Sequence, residues 1–423
     1  MQLSKLYNLF KGDKVIWMVF FLLCMISIVE VYSASSTLTY KSGSFLGPML
    51  KHCGMIFAGT AITIITLNIP CRFFKVLTPF LIPFSFFTLL WVFIMGEATN
   101  GAQRWMSFFG LQFQPSEIAK GTVILAVAQI LSVMQTENGA DKRAFKYILA
   151  VCAFMVPLIM VENLSTAALL LFVVLLMMII GRIPGYIIGR LVGITVILLL
   201  LGVGMVMMLG SADTATTNDA NALTEVQVQA DAGKSEEAGG LSKVFHRFGT
   251  WKNRILNFFD NKEVDPRTYD WDKDGQKGHA NIAIASSKII GKGPGNSEER
   301  DWLPQAFSDF IYAIVLEELG ILGGAAVVFL YIVLLFRVGK IANNCERNFP
   351  AFLILGLALL LVTQAVFNMC VAVGIVPVTG QPLPLISKGG TSTLINCAYI
   401  GVILSVSRSA KKRTDADAID DGY

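Results

Sequence analysis

Charged side chains are scarce in this sequence. Asp, Glu, Lys and Arg make up only 15% of its 423 residues, whereas 54% are hydrophobic, and the mean hydropathy is +0.62. A soluble fold cannot bury so large an apolar fraction, so this composition excludes an ordinary soluble protein and indicates a chain that lives in a bilayer. The net charge of +4 is too small to suggest a nucleic-acid partner, and we expect none.

The sequence also lacks the motifs of metal, redox and nucleotide chemistry. Its seven cysteines form no CxxC pair, and its three histidines, His52, His246 and His279, are widely separated. We interpret the cysteines as small apolar residues of helices, and expect neither disulfides nor a Cys or His metal site. There is no P-loop, GxGxxG, HExxH or GxSxG motif, so no soluble-enzyme signature competes.

Long apolar runs are what the sequence has instead. About ten of them reach the length of roughly 17 to 25 residues that crosses a hydrocarbon core. Backbone groups in lipid must be satisfied within each segment, and the runs lack the alternation of barrel strands, so we predict an all-α, polytopic membrane fold. The predicted transmembrane helices are 15–33, 51–68, 75–95, 117–134, 147–161, 164–180, 186–210, 309–336, 351–376 and 391–408.

Lys and Arg predict the orientation, because short cytoplasmic loops retain positive charge. With the N-terminus in the cytoplasm, most basic residues of the short loops fall on the cytoplasmic side, as does the C-terminal tail 409–423. A large extracytoplasmic loop, 211–308, then joins the seventh and eighth helices. The basic residues left for the outer short loops and helices are Lys41, Lys51, Arg104, Lys120 and Lys388.

The chain is predicted to form one membrane domain over 1–423, with substructure in the outer loop. Residues 211–240 are polar and look like a flexible insertion. Residues 241–259 have apolar side chains at helical spacing between basic ones, which indicates an amphipathic helix on the outer membrane face or on top of the bundle. Residues 270–281 begin like a DxDxDG calcium loop, but Asn281 stands where a Glu is expected, so we favour a polar turn.

Ionisable residues at membrane depth are the main candidates for function, since each costs at least about 2.5 kcal/mol to insert. They are Glu30, Glu117, Lys120, Glu162, Asp309, Glu317, Glu318 and Lys388. Several of them, together with Arg104, fall toward the outer half and are expected to converge on one outward-facing cavity. An interhelical hydrogen bond is the expected role for one of the two neighbouring carboxylates Glu317 and Glu318.

Some of these candidates have two interpretations. Glu117 and Lys120 are three residues apart on one helix face, and form either a structural ion pair or the wall of a polar cavity. Arg104 is either a headgroup anchor or a ligand for pyrophosphate, which its planar guanidinium suits. Asp309 lies where the outer loop enters the eighth span, among aromatic and apolar residues, and is either a general base or a helix cap.

The same residues form motifs of a known family. Residues 101–105 (GAQRW), followed by 114–117 (QPSE) and Lys120, resemble the GAxRW and QPSExxK signature of the SEDS family, which includes FtsW, RodA and SpoVE. The family's central and C-terminal motifs have counterparts, in order, at 291–297 (GKGPGNS), 303–305 (LPQ), 309–313 (DFIYA), 317–320 (EELG), 377–387 (PVTGQPLPLIS) and 389–392 (GGTS). The resemblance therefore covers nearly the whole membrane region.

This resemblance implies a ten-helix peptidoglycan glycosyltransferase of the bacterial cytoplasmic membrane that polymerises lipid II. The implied partners are a class B penicillin-binding protein and membrane proteins of the division or elongation complex. The family's catalytic aspartate corresponds to Asp309. A cation, Arg104 or Lys292 or a bound divalent ion such as Mg or Mn, is expected to stabilise the departing pyrophosphate, and no metal ligands are identified. The predicted substrate-binding residues are Arg104, Glu117, Lys120, Lys292, Gln305 and Lys388.

The chain departs from the family pattern at several places, two of which concern candidate functional residues. The family's PDxGT motif is replaced by residues 162–166 (ENLST), so its Asp is lost and a Glu appears one residue earlier. Lys388 replaces a usual aromatic residue and adds a cation that contacts either phosphate or a partner. The chain looks FtsW-like, which implies cell division, with RodA-like elongation as the alternative. A flippase for lipid-linked precursors and a non-enzymatic scaffold for a transpeptidase are the other functions left open.

Overall fold

The computed structural model describes residues 10–34, 47–95, 97–99, 102–108, 111–209, 271–303 and 306–420. The predicted insertion 211–240, the predicted amphipathic helix 241–259 and Gln305 lie outside the described residues. For some helix and strand positions, among them Arg104, only the backbone is described.

The described part of the chain is almost entirely helical. Its helices are α1 (Lys14–Ser33), α2 (Gly47–Asn68), α3 (Cys71–Met95), α4 (Pro115–Val133), α5 (Lys142–Glu162), α6 (Leu164–Ile180), α7 (Gly185–Leu209), α8 (Trp271–Ser286), α9 (Ile311–Asn343), α10 (Asn348–Ala372) and α11 (Thr391–Asp420). Eight of them, α1 to α5 and α9 to α11, are long and apolar enough to cross a membrane, while α6 and much of α7 are shorter apolar helices. All ten predicted apolar segments are helical, and the all-α polytopic class is confirmed; the sidedness of the termini stays a prediction.

Polar cap residues mark the starts of several helices. The Asp13 carboxylate accepts hydrogen bonds from two backbone N–H groups of α1, at 2.9 and 3.3 Å. Asp141 caps α5 and Asn163 caps α6 in the same way. Pro115 stands in the first turn of α4, where the missing proline N–H costs no hydrogen bond. Each cap satisfies N–H groups that have no partner within their own helix.

Short strands that the sequence analysis did not predict connect α3 to α4. The strands β1 (Glu97–Thr99), β2 (Ala102–Phe108) and β3 (Leu111–Phe113) pair as an antiparallel sheet in that order. The GAQRW motif therefore runs into β2, and the QPSE motif follows β3 into α4. A small hairpin of β4 (Gln135–Thr136) and β5 (Gly139–Ala140) joins α4 to α5.

The segment that resembles a calcium loop is helical. Residues Asp272, Asp274 and Gly275 lie in the first two turns of α8. A calcium loop of this type needs a sharp turn at its glycine, which a continuous helix does not provide. The polar turn that we favoured and the calcium loop are therefore both wrong for this segment.

Two helices form the centre of the bundle. α10 packs against α4, α6, α9 and α11, while α4 also contacts α3 and α5. Most of the residues of α10 face neighbouring helices, and they include the buried polar side chains Gln364 and Asn368. A buried amide needs hydrogen-bond partners, so these two residues locate the polar interior of the protein.

Candidate active site

Asp309 lies in the turn that leads into α9, and its side chain is partly buried. The Ser308 hydroxyl donates a hydrogen bond to Asp309 Oδ1 at 3.1 Å. The N-cap position of α9 is occupied by Phe310, whose own side chain makes no capping hydrogen bond. Asp309 is therefore not the N-cap residue of α9, and its role as general base stays a prediction.

Two amides of α10 hold the backbone around Asp309. Asn368 Nδ2 donates to the carbonyl oxygen of Asp309 at 2.8 Å and to that of Gln381 at 2.7 Å. One turn earlier, Gln364 Nε2 donates to the carbonyl oxygen of Pro382 at 3.0 Å. Because both amides are buried, these bonds fix the turn before α9 and the 377–388 loop against one helix.

Glu117 and Lys120 of α4 form the ion pair that their spacing predicts. Lys120 Nζ lies 2.8 Å from Glu117 Oε1, and the two side chains are 1% and 4% exposed, Lys120 being the less accessible. The Lys120 ammonium also donates to Gln364 Oε1 at 2.9 Å, and Tyr399 donates to the Glu117 carbonyl at 2.7 Å. The pair therefore joins the same frame as Asp309, and its burial favours positioning over direct contact with substrate.

The 377–388 loop closes the frame on the other side of Asp309. Ser387 Oγ donates to the Ser308 carbonyl at 2.6 Å, and the Lys388 backbone N–H donates to the Phe307 carbonyl at 2.9 Å. The Lys388 ammonium lies 5.2 Å from the centroid of the Phe307 ring. Partial burial, and then the charge of Lys51, lower the pKa of Lys388.

The altered PDxGT segment keeps a structural function. Asn163 stands where the family has its Asp, and it accepts from the N–H groups of Ser165 and Thr166 at 3.1 and 3.4 Å. The Thr166 hydroxyl in turn accepts from Gln381 Nε2 at 2.7 Å. The segment thus ties α6 to the 377–388 loop, and an amide serves the cap without the charge of an Asp.

Glu317 and Glu318 organise a second polar cluster. Both are fully buried in α9, one turn before a break at Gly320, where φ is 72° and ψ is −175°. Glu318 accepts from the Ser33 hydroxyl of α1 and from the backbone N–H of Gly295 and Ser297. The expected interhelical hydrogen bond is therefore made by Glu318, which also binds the loop 288–300.

Lys292 belongs to this second cluster. Its ammonium lies 2.7 Å from Glu317 Oε1 and 3.2 Å from Glu298 Oε2, and Ser297 Oγ donates to Glu317 Oε2 at 2.5 Å. Partial burial disfavours the charged amine, but the hydrogen bonds to the two glutamates outweigh it and raise the pKa of Lys292. In the described residues the Lys292 ammonium holds the loop 288–300 against α9. Its contact with substrate stays a prediction.

Gly320 is required where α9 breaks. Its positive φ is accessible to glycine, and an added Cβ would overlap the carbonyl oxygen of Ile289 in the loop. We expect Gly320→Ala to lower the stability of the protein by about 1 to 3 kcal/mol. The melting temperature in detergent measures this effect.

Gly339→Ala is the matched control, because Gly339 lies in the regular part of α9 and a Cβ there meets no atom within 4 Å. We expect this variant to melt at or slightly above the temperature of the parent protein. Equal melting temperatures for the two variants would contradict the role assigned to Gly320.

The described residues place the predicted site residues in two groups. Asp309, Glu117, Lys120 and Lys388 share the frame around α10, and Lys292 lies about two turns further along α9 with Glu317. Within the described ranges, no three His, Cys, Asp or Glu residues come together as metal ligands. The described residues therefore provide no protein ligand set for the predicted divalent cation.

Sequence reasoning missed Gln364, Asn368 and Tyr399. The first two are amides four residues apart in a long apolar run, a spacing that puts both on one helix face. A paired amide signal of this kind indicates a buried polar interface, and it is the clue that could have found them.

Comparisons with known proteins support the family that the sequence motifs indicate. The chain matches the family model FTSW_RODA_SPOVE, described as "Cell cycle protein", over residues 13–218 and 239–412. It is 30% identical to "Probable peptidoglycan glycosyltransferase FtsW" of Halomonas elongata, covering 92% of this chain and 90% of that protein. It is 27% identical to "Peptidoglycan glycosyltransferase MrdB" of Escherichia coli K12, covering 92% and 93%.

The fold has a counterpart among solved structures. A chain from the work "Structural coordination of polymerization and crosslinking by a peptidoglycan synthase complex" superposes with a TM-score of 0.66. The two chains are 24% identical, and the superposition covers 94% of this chain and 98% of the other. The likeness to this structure concerns the fold, while the family model matches most of the sequence. The chain belongs to the SEDS family, that of FtsW, RodA and SpoVE.

Proposed function

We propose that the protein is an FtsW-like peptidoglycan glycosyltransferase that polymerises lipid II at the outer face of the cytoplasmic membrane. The observation that carries this proposal is the placement of Asp309, which lies in the turn just before the cap residue Phe310 and whose backbone carbonyl accepts a hydrogen bond from the buried Asn368. The reaction needs a general base and a cation, because the substrate has a hydroxyl to deprotonate and a pyrophosphate to release. The backbone of Lys388 is bonded to the turn that carries Asp309, which brings a cation-bearing residue to the same region. Relatives named as peptidoglycan glycosyltransferases support the activity.

The reaction is an in-line displacement in which Asp309 is the general base. The Asp309 carboxylate takes the proton from the 4-hydroxyl of the acceptor GlcNAc, and the resulting oxygen attacks the anomeric carbon of the donor MurNAc. The bond from that carbon to the lipid pyrophosphate breaks, and its electron pair leaves with the pyrophosphate. One displacement inverts the α configuration to a β-1,4 bond, so no covalent enzyme intermediate is needed.

The surrounding residues position this base. Asn368 fixes the Asp309 carbonyl, and Ser308 donates to its carboxylate. The Glu117–Lys120 pair positions Asp309 indirectly. Lys120 donates a hydrogen bond to Gln364, and Gln364 donates one to the loop that lies beside Asp309. Such a chain of buried hydrogen bonds keeps the carboxylate in place while substrates exchange.

Polymerisation in detergent tests this function. The purified protein, with a class B penicillin-binding protein as the proposed partner, is expected to convert detergent-solubilised lipid II into glycan strands that are resolved by gel electrophoresis. A flippase has no task in detergent, so polymer excludes that alternative. Absence of polymer, with transfer of lipid II across vesicle membranes instead, would support the flippase.

Cell division is the process that we propose for this enzyme. The support is the FtsW name of several relatives that match over more than nine tenths of the chain. Elongation is the second candidate, since MrdB matches over a similar length. We expect a fluorescent fusion of the full chain to concentrate at midcell, whereas a signal along the side wall would indicate elongation.

A further inference from the structure

Lys388 is fixed next to the proposed base. Its backbone N–H donates to Phe307, and the preceding Ser387 donates to Ser308, so the loop is bonded to the two residues before Asp309. These two bonds fix the backbone of Lys388 beside the turn that carries Asp309.

The Lys388 ammonium has no acidic partner among the described residues, where no carboxylate lies within ion-pair distance of it. It is partly buried against the Phe307 ring, which compensates a buried charge only in part. A cation in this state gains free energy from any anion that reaches it.

A second cation faces the same loop. Lys51 is exposed at the start of α2, and its neighbour His52 is buried, with Nε2 2.9 Å from Ser27 Oγ. Ser27 donates to the Ile386 carbonyl at 2.6 Å, so this bridge holds the start of α2 against the segment that contains Lys388. Lys51 has no ion pair with the described residues either, and its charge is close enough to depress the pKa of Lys388.

We propose that Lys388 and Lys51 bind the pyrophosphate that leaves the donor lipid in each round of polymerisation. This proposal rests on the proposed function and assigns the leaving-group site. In the displacement the attacking oxygen approaches the anomeric carbon to about 3 Å with the leaving oxygen opposite, so the base and the pyrophosphate lie within one small cavity. These two cations have no ion-pair partner among the described residues, and the backbone of one of them is bonded to the turn before the base, so they can stabilise the negative charge that develops on the departing phosphate oxygen.

A lysine at position 388 is specific to this chain, because the SEDS pattern has an aromatic residue there. Both lysines also belong to the few basic residues that the charge pattern leaves for the outer side. The ligand that these lysines would bind is a phosphate group carried by a lipid. Two kinds of lipid could supply it: the substrate, through its pyrophosphate, and an anionic phospholipid, through its headgroup. The experiment below separates them.

Direct binding of inorganic pyrophosphate to the full-length protein in neutral detergent is the test, measured by calorimetry for the parent, Lys388→Met, Lys388→Arg and Lys51→Met. We expect Lys388→Met to weaken binding about tenfold or more, since it removes a charge-assisted hydrogen bond. Lys388→Arg, which keeps the charge, is expected to stay within about threefold, and Lys51→Met to show a smaller loss than Lys388→Met. Lys340→Met is the control, because Lys340 is exposed near the far end of α9.

A second set of binding measurements, made with added phosphatidylglycerol, tests whether an anionic phospholipid occupies the same site. We expect pyrophosphate to bind with the same ranking of variants in its presence, and pyrophosphate to inhibit polymerisation less in Lys388→Met than in the parent. Unchanged pyrophosphate affinity in Lys388→Met, or an effect of the variants on phosphatidylglycerol binding alone, would overturn the proposal. The binding assay does not depend on turnover, so a parent protein that binds pyrophosphate without forming polymer contradicts the proposed function and not the site.

Discussion

Asp309→Asn is expected to abolish the formation of glycan strands from lipid II without unfolding the protein. The amide keeps the size of the side chain and the oxygen that accepts from Ser308, while the Asn368 bond goes to the backbone and is not altered. What the amide cannot do is take a proton. Loss of a general base lowers rates by about 10²- to 10⁴-fold, which leaves no visible polymer in a gel assay.

Asp301→Asn provides the matched control for this variant. Asp301 is an exposed carboxylate before the same turn, 4.0 Å from Arg300, so its neutralisation removes the same charge while the hydrogen bonds given above for the frame around α10 keep their atoms. We expect Asp301→Asn to polymerise lipid II at the rate of the parent. Polymer from Asp309→Asn at a parental rate would remove Asp309 from the mechanism, and complementation of a deletion strain by that variant would favour the scaffold function.

Local sequence patterns were enough to predict the helices and one ion pair of the candidate site. The apolar runs predicted segments that are helical in the described part of the chain, because in lipid the backbone leaves an apolar segment few alternatives to a helix. The Glu117–Lys120 pair follows from spacing alone, since residues three apart on a helix are neighbours. The assignment of Asp309 came from the family resemblance, and its surroundings would have allowed a helix cap equally well.

Long-range contacts account for what the sequence did not predict. Asn368 and Asp309 are 59 residues apart, and Gln364 and Lys120 are 244 apart, so no local pattern relates them. Lys292 is a comparable case, because its partner Glu317 is recognised only when the loop 288–300 is seen to wrap around the break at Gly320. Tertiary packing selects these pairs among many possible ones, which a single sequence does not specify.

Lys120→Met is expected to be the most destabilising of the substitutions considered. It leaves the Glu117 carboxylate buried without its cation, and Glu117 Oε2 already lacks a hydrogen-bond partner among the described residues. It also deprives Gln364 Oε1 of its donor. Removal of one member of a buried ion pair costs about 3 to 5 kcal/mol, so we expect little folded protein and a strongly lowered melting temperature.

The double variant Glu117→Gln/Lys120→Met separates stability from function, because it removes both charges and leaves none unpaired. We expect it to recover most of the lost melting temperature, since a neutral pair of similar volume avoids the cost of burying an isolated charge. Its kcat for lipid II polymerisation is expected to stay about tenfold below that of the parent with KM unchanged, because Gln364 no longer has Lys120 to hold it beside the loop at Asp309. Full recovery of kcat would show that the pair only stabilises the bundle. A KM raised tenfold would instead show that the pair contacts lipid II directly, as a cavity wall would.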